Sequence, residues 1–118
     1  MTLDPSTALR LYDDAWTIPD YESRLASLRT FWADDGLYLD PDVPEGVRGA
    51  EALADEIDRQ LKLYPGMSIV SSAPDVLGDR AWFRWSATLA TGESFHGVDF
   101  VEFAADGRIA RLTGFYEQ

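Results

Sequence analysis

Asp99 is the residue that most needs a chemical explanation. It stands in Gly97-Val98-Asp99-Phe100-Val101-Glu102-Phe103, which otherwise reads as an apolar strand. A charge inside such a strand requires a partner or a task. Arg84 is the candidate partner. If Thr91-Gly92 is a two-residue hairpin loop, counting outward places Arg84 opposite Asp99 and Trp82 opposite Val101. A facing guanidinium would hold Asp99 ionised and remove it as a neutral donor. Asp40, just before Pro41, is either a site carboxylate or the residue that shapes that turn. Tyr12 falls on the buried stripe of a helix, its hydroxyl either satisfied internally or offered to a ligand. His96 is the single histidine and could be a general base at neutral pH, but the same register points it away from the Asp99 face. Arg48, after Val47, either lines a pocket mouth or ties down its loop.

The elements that must position these residues follow from pattern. Leu9, Tyr12 and Trp16 recur at helical spacing, which predicts a first helix over about 6–16 with Ser6 or Thr7 as its cap. Ile18-Pro19-Asp20 breaks it, and Asp20 caps a second helix with Tyr21, Leu25, Leu28 and Phe31 or Trp32 inward. Asp34-Asp35-Gly36 ends that helix, and Leu37 to Leu39 reads as a short strand. Residues 43–49 read as a loop, and a third helix spans about 50–64, stopped by Pro65-Gly66. Three or four strands close the chain, near 67–73, 80–90, 93–104 and 108–117. Gly78-Asp79, Thr91-Gly92 and Asp106-Gly107 mark the turns between them. Helices first and strands after argue for an α+β fold.

A two-residue Asp106-Gly107 loop places Asp99 opposite Gly114 and Val101 opposite Leu112. One sheet face then carries Trp82, Arg84, Ser86, Phe95, Asp99, Val101, Phe103, Leu112 and Tyr116. The other carries Phe83, Trp85, Leu89, His96, Val98, Phe100 and Phe115. Both faces are substantially apolar, so one can cover the helices and the other can meet a second copy. A bulge would reverse every assignment beyond it.

Bulk properties exclude several classes. The chain has 118 residues, which fits one domain over 1–118. Its apolar share of 46% argues against disorder. The formal net charge is −11, which repels phosphate backbones, so no nucleic-acid partner is expected. With one His and no Cys, neither a disulfide framework nor a conventional zinc site is expected. There is no Gly-rich phosphate loop, and no cofactor or metal is expected. The start, Met-Thr-Leu-Asp-Pro-Ser-Thr, lacks the pattern of a signal peptide, and no run is long enough for a membrane span. A cytoplasmic protein is the expectation.

Four segments resemble the SnoaL-like and ketosteroid-isomerase-like superfamily, which also includes nuclear transport factor two and the limonene epoxide hydrolases. They are Phe31-Trp32-Ala33-Asp34-Asp35-Gly36-Leu37-Tyr38-Leu39-Asp40-Pro41, then Val47-Arg48-Gly49-Ala50-Glu51-Ala52-Leu53. Gly97-Val98-Asp99-Phe100-Val101-Glu102-Phe103 follows with Asp106-Gly107-Arg108-Ile109, and last comes Thr113-Gly114-Phe115-Tyr116. The resemblance covers nearly the whole chain. It implies a cone-shaped, curved mixed or antiparallel sheet wrapped around three N-terminal helices, a cystatin-like α+β roll. It also implies a pocket inside the cone for a small apolar molecule, and frequent homodimers through the outer sheet face.

The same resemblance implies roles. Tyr12 matches a Tyr donor, Asp40 a carboxylate base and Asp99 a protonated donor, as in enzymes that move a proton beside a carbonyl. The Tyr12 match requires an insertion near residues 17–20. Trp32, Arg84, Trp82, Val101, Phe103, Leu112 and Tyr116 are the candidate substrate-binding residues, although Trp32, Trp82, Tyr64 and Phe103 could equally be filled core. An isomerase or cyclase is therefore one reading. A non-catalytic binding or dimerisation module is another, motivated by the Arg84–Asp99 pair. An epoxide-hydrolase-like enzyme is the third: Arg84 and Glu117 resemble parts of its carboxylate–Arg–carboxylate set, but Ser86 stands where the second Asp is expected. The pairs Asp13-Asp14 and Asp34-Asp35 read as solvated helix ends.

Overall fold

A computed structural model describes residues 2–117. The order is α1 (Pro5–Ala15), α2 (Tyr21–Phe31), β1 (Trp32–Asp40), β2 (Val43–Arg48), α3 (Gly49–Leu63), β3 (Ser68–Ser71), β4 (Asp75–Leu77), β5 (Arg80–Thr88), β6 (Ser94–Phe103) and β7 (Ile109–Glu117). Asp4, rather than Ser6 or Thr7, caps α1. Its carboxylate accepts from the N–H groups of Ser6 and Thr7, and Pro5 occupies the first turn, where a missing N–H costs nothing. Asp20 caps α2 by accepting from the Ser23 N–H.

The chain leaves α2 directly into β1, without the expected turn at Asp34-Asp35-Gly36. The Trp32 indole folds back and donates to the Gly36 carbonyl at 3.1 Å. It lies where a Gly36 side chain would otherwise stand. The acidic pair therefore rides on an irregular strand, whose register on β7 shifts between Trp32 and Leu37. Residues 43–48, expected as a loop, form β2, which pairs with β1 through Tyr38–Val47 and Asp40–Val43.

The seven strands form one curved, unclosed mixed sheet in the order β2-β1-β7-β6-β5-β3, with β4 also on β5. β1 and β7 run parallel. With the three helices this is the α+β architecture expected from the helix-then-strand order. The helices cover the inner face. Leu28, Phe31, Leu53 and Ile57 meet Val101, Ile109 and Leu112 in a core from which water is excluded. No helix among the described residues is long and apolar enough to cross a membrane.

Loop length decides which face Asp99 shares, and here the expectation fails. The β5–β6 loop has three residues, Ala90-Thr91-Gly92. The Leu89 N–H donates to the Glu93 carbonyl at 2.7 Å and the Gly92 N–H to the Leu89 carbonyl at 2.9 Å. Gly92 takes the left-handed φ of 92° that such a loop requires. The pairing slips by one: Phe83 faces Asp99, Ala81 faces Val101 and Arg84 faces Val98. Trp82, Arg84 and Ser86 therefore lie on the outer face, while Phe83 and Trp85 lie on the inner. The β6–β7 loop is also three residues, Ala105-Asp106-Gly107. A register shift between Glu102 and Phe103 restores the count, so Asp99 faces Gly114 and Val101 faces Leu112.

A Cβ added at Gly36 would stand 2.5 Å from Trp32 Nε1. Gly36→Ala must displace a fully buried indole, and a loss of about 1–3 kcal/mol is expected. Urea denaturation checks this, and an unchanged midpoint would show that the ring is free to move.

Candidate active site

Gly114 stands between the two carboxylates. It pairs with Asp99 across β6–β7 and lies one residue beyond Thr113, which pairs with Leu39 of β1. A Cβ on Gly114 would be 3.0 Å from Asp99 Oδ1 and 3.3 Å from Asp40 Cβ. The missing side chain is what lets Asp40 and Asp99 face one space.

That space is a cavity beneath the helices. Its polar lining is Tyr12 and Asp13 from α1, Tyr38 and Asp40 from β1, Gln60 from α3, Ser71 from β3 and Asp99 from β6. Trp16, Tyr64, Phe83, Trp85, Phe95 and Tyr116 supply aromatic walls. The cavity volume is about 60 Å³.

The three expected catalytic residues line this cavity in different states. Asp40 is 8% exposed and accepts four hydrogen bonds. The Asp42 and Val43 N–H groups donate to Oδ1 at 2.8 and 3.1 Å. The Tyr38 hydroxyl donates to Oδ2 at 2.5 Å and Gln60 Nε2 to Oδ2 at 3.3 Å. Oδ1 thus shapes the turn around Pro41, while Oδ2 faces the cavity. All four partners donate, which suits an ionised carboxylate. Gln60 is itself anchored by donating to Glu56, which Arg59 grips through two bonds.

Asp99, also 8% exposed, forms no ion pair among the described residues. Arg84 pairs on the outer face with Glu117 at 3.4 Å, so the expected Arg84–Asp99 pair does not form. Burial pushes the Asp99 carboxyl up to about 8, opposed by a hydrogen bond with Trp85 and assisted by the charges of Asp40 and Asp13. Asp99 is therefore mainly a neutral acid at pH 7 and able to donate. Tyr12 is 3% exposed, and burial, then the Asp99 charge, holds its hydroxyl well above the usual phenol range. Trp32 stacks on its ring at 6.4 Å and Trp16 meets it edge-on at 6.5 Å.

The expected binding residues divide. Tyr116 lines the cavity and donates to Asp42 at 2.9 Å. Val101, Phe103 and Leu112 are on the inner face but are spent in the core. Trp32 supports Tyr12 from behind, its N–H used by Gly36. Trp82 and Arg84 are on the outer face, where the Arg84 guanidinium sits 5.1 Å above the Trp82 ring. Arg84 and Glu117 therefore share no site with Asp99, which removes the epoxide-hydrolase arrangement. His96 is exposed on the outer side. Arg48 ties its loop by donating to the Asp35 carbonyl at 3.2 Å.

The sequence reading missed Asp13, Tyr38, Gln60, Trp85 and Phe95 as cavity residues. Asp13 was expected to be solvated. It instead turns inward, accepts from Ser71 at 2.9 Å, and is raised by burial. Its place one residue beyond Tyr12 was the available signal. Among the described residues no group of carboxylates and histidines is disposed to hold a metal.

A curved sheet over three helices with paired carboxylates inside defines a class, and the family follows. The model of the SnoaL-like domain matches residues 8–112, so the chain belongs to that family. It is 28% identical to a presumed isomerase of the SnoaL-like family from Agrobacterium tumefaciens, with a TM-score of 0.86 over 95% of this chain and 96% of the other. A presumed ketosteroid isomerase from Kribbella flavida shares the fold at 23% identity, TM-score 0.75, over 97% and 78%. A presumed SnoaL-like polyketide cyclase from Jannaschia does so at 19%, TM-score 0.77, over 92% and 81%. No curated protein matches the chain in sequence.

The raised Asp99 has a consequence for stability. The folded chain holds a proton that the unfolded chain releases between 3.8 and about 8. This group's contribution to stability is therefore greatest at low pH, falls as pH rises through that window, and levels off above it. Asp99→Asn removes the dependence. Relative to that variant, the wild-type urea midpoint is expected to fall from pH 4 to pH 8 and then stay constant.

Proposed function

We propose that the protein is a small-ligand enzyme of the isomerase or cyclase type, moving a proton beside the carbonyl of a compact neutral compound. The observation that carries this reading is one cavity lined by both Asp40, whose hydrogen-bond partners all donate, and Asp99, which burial pushes up to about 8. Asp40 Oδ2 takes the α-proton in place of its longest partner, Gln60. The electron pair moves to the carbonyl oxygen, where Tyr12 and protonated Asp99 donate to the developing enolate. Asp40 then returns the proton at the new position, so nothing is consumed. Among the described residues the cavity lining contains no Lys, Arg or His. It carries three carboxyl groups instead, which disfavours an acidic substrate.

Cyclohex-2-enone in deuterated water offers a direct assay by proton NMR. The wild type is expected to accelerate exchange of its acidic C–H protons, and a carboxylated analogue is expected to be inert. Asp40→Asn is expected to lower the rate by about 10²–10⁴-fold, with Asp13→Asn largely active. Loss with Asp13→Asn alone would move the base to α1. No exchange with any compact ketone would favour a binding module.

We further propose that a second copy covers the outer sheet face. Phe100 and Phe115 are 51% and 52% exposed and stack edge-to-face at 6.0 Å, an apolar patch of the kind that marks interfaces. Sedimentation is expected to show a dimer that Phe115→Glu converts to a folded monomer. A monomeric wild type would rule this out.

A further inference from the structure

Glu56 is a charged residue that the fold buries and that the reading above leaves without a task. It is 8% exposed, on α3 among the buried Leu53, Ile57 and Gln60, and a carboxylate in such a place needs an explanation. Arg59 answers its charge through two bonds, at 3.0 and 2.6 Å. The guanidinium itself is half exposed, and a pair at that edge adds little stability. The other partner points inward. Four residues along the helix, Gln60 shares the face of Glu56, and its Nε2 donates to Glu56 Oε2 at 2.8 Å. Burial pushes the Glu56 carboxyl up, but the bonds from Arg59 and Gln60 more than offset this and hold it below the usual range. Glu56 is therefore ionised and acts only as an acceptor.

A glutamine amide can present either end, because its carbonyl and its nitrogen have nearly the same shape. The surroundings of Gln60 make the choice. Its Nε2 carries two hydrogens and meets two carboxylates, Glu56 at 2.8 Å and Asp40 Oδ2 at 3.3 Å. Asp40 alone does not impose this orientation. An ionised Asp40 calls for the N–H, but a protonated Asp40 would donate to the carbonyl equally well. Glu56 removes the second option, since a turned amide would set its carbonyl against an ionised acceptor. The other polar groups near Asp40 do not decide the matter. Tyr38 and the N–H groups of Asp42 and Val43 bond Asp40 itself. Tyr116 bonds Asp42, and Tyr12, Asp13 and Asp99 line the cavity.

We propose that Glu56 is a positioning residue for Asp40: acting through Gln60, it keeps an N–H and never a carbonyl against Asp40 Oδ2. The inference rests on the reading of Asp40 as the group that takes the proton. Gln60 then offers no acceptor to a proton on Asp40, so the proton is not held there and returns to the carbon of the ligand. The amide also yields readily, because its bond to Asp40 is the longer one while its bond to Glu56 holds it in place. Glu56 and Arg59 are not part of the cavity wall, so Glu56 reaches the chemistry only through Gln60.

The test is a carbon-13 NMR titration of the Asp40 carboxyl carbon, assigned by its loss in Asp40→Asn, in the wild type, Glu56→Gln, Gln60→Met and the double variant. Glu56→Gln gives the amide a neighbour that can donate, and Gln60 is free to turn over. Asp40 is then expected to titrate about one pH unit higher than in the wild type. Loss of the Glu56 charge acting through space would move it lower, so the sign separates the two effects. In the Gln60→Met background, Glu56→Gln is expected to cause no rise. No rise in the single variant, or an equal rise in both backgrounds, would overturn the inference. Proton NMR of the wild-type Gln60 amide covers the case in which Glu56→Gln does not fold. Through the Asp40 titration one N–H is expected to keep its shift, held by Glu56, and the other to move. If both move together the amide turns over in spite of Glu56, and the inference falls. In the cyclohex-2-enone assay, Glu56→Gln is expected to lower kcat about 3–10-fold with KM unchanged. If Asp40→Asn abolishes exchange but Glu56→Gln alters neither kcat nor the titration, the proposed function stands and the inference falls. If the titrations follow Glu56 as expected but no ketone exchanges, the positioning of Asp40 stands and the proposed reaction fails.

Discussion

Two carboxyl groups face one small cavity across a residue that has no side chain. Both cannot carry charge cheaply in such a place. The structure resolves the conflict by treating them differently. Asp40 is given four donors, whereas Asp99 is given burial and no counter-ion. One is suited to accept a proton and the other to keep one. Gly114, the helices that exclude water, and the register that turns Asp99 inward all serve that difference.

The order of elements was legible because it rests on strong local signals. Helical spacing of Leu9, Tyr12 and Trp16, the Asp20 cap and the glycine turns marked most elements. The strand at 43–48 was not legible, because Pro44 and Gly46 give it a loop's composition, although its partner β1 lies just across the Pro41-Asp42 turn. The start of β1 was hidden likewise: Asp34-Asp35-Gly36 has turn chemistry, while the Trp32 indole closes over Gly36 and pairing with distant β7 holds both ends of the stretch.

The site was legible in part, for a related reason. Tyr12, Asp40, Asp99 and Tyr116 line the cavity, but Trp82 and Arg84 were placed on the wrong face by one loop residue. A two-residue and a three-residue hairpin loop are hard to distinguish in Ala90-Thr91-Gly92-Glu93, and period two turns that single count into a complete exchange of faces. At Asp106-Gly107 the same miscount was harmless, since a bulge at the base of the hairpin compensated for it. The consequence of the first slip was chemical. It invented a guanidinium beside Asp99, and with Arg84 instead on Glu117, Asp99 is free to remain neutral.

The most direct measurement is the carbon-13 NMR shift of the Asp99 carboxyl carbon against pH, assigned by its loss in Asp99→Asn. A midpoint near 8, with the carboxyl protonated at pH 7, is the predicted result. A midpoint near the ordinary aspartate value of 3.8 would mean that Asp99 is ionised in the folded protein, and the division of roles between the two carboxylates would be contradicted.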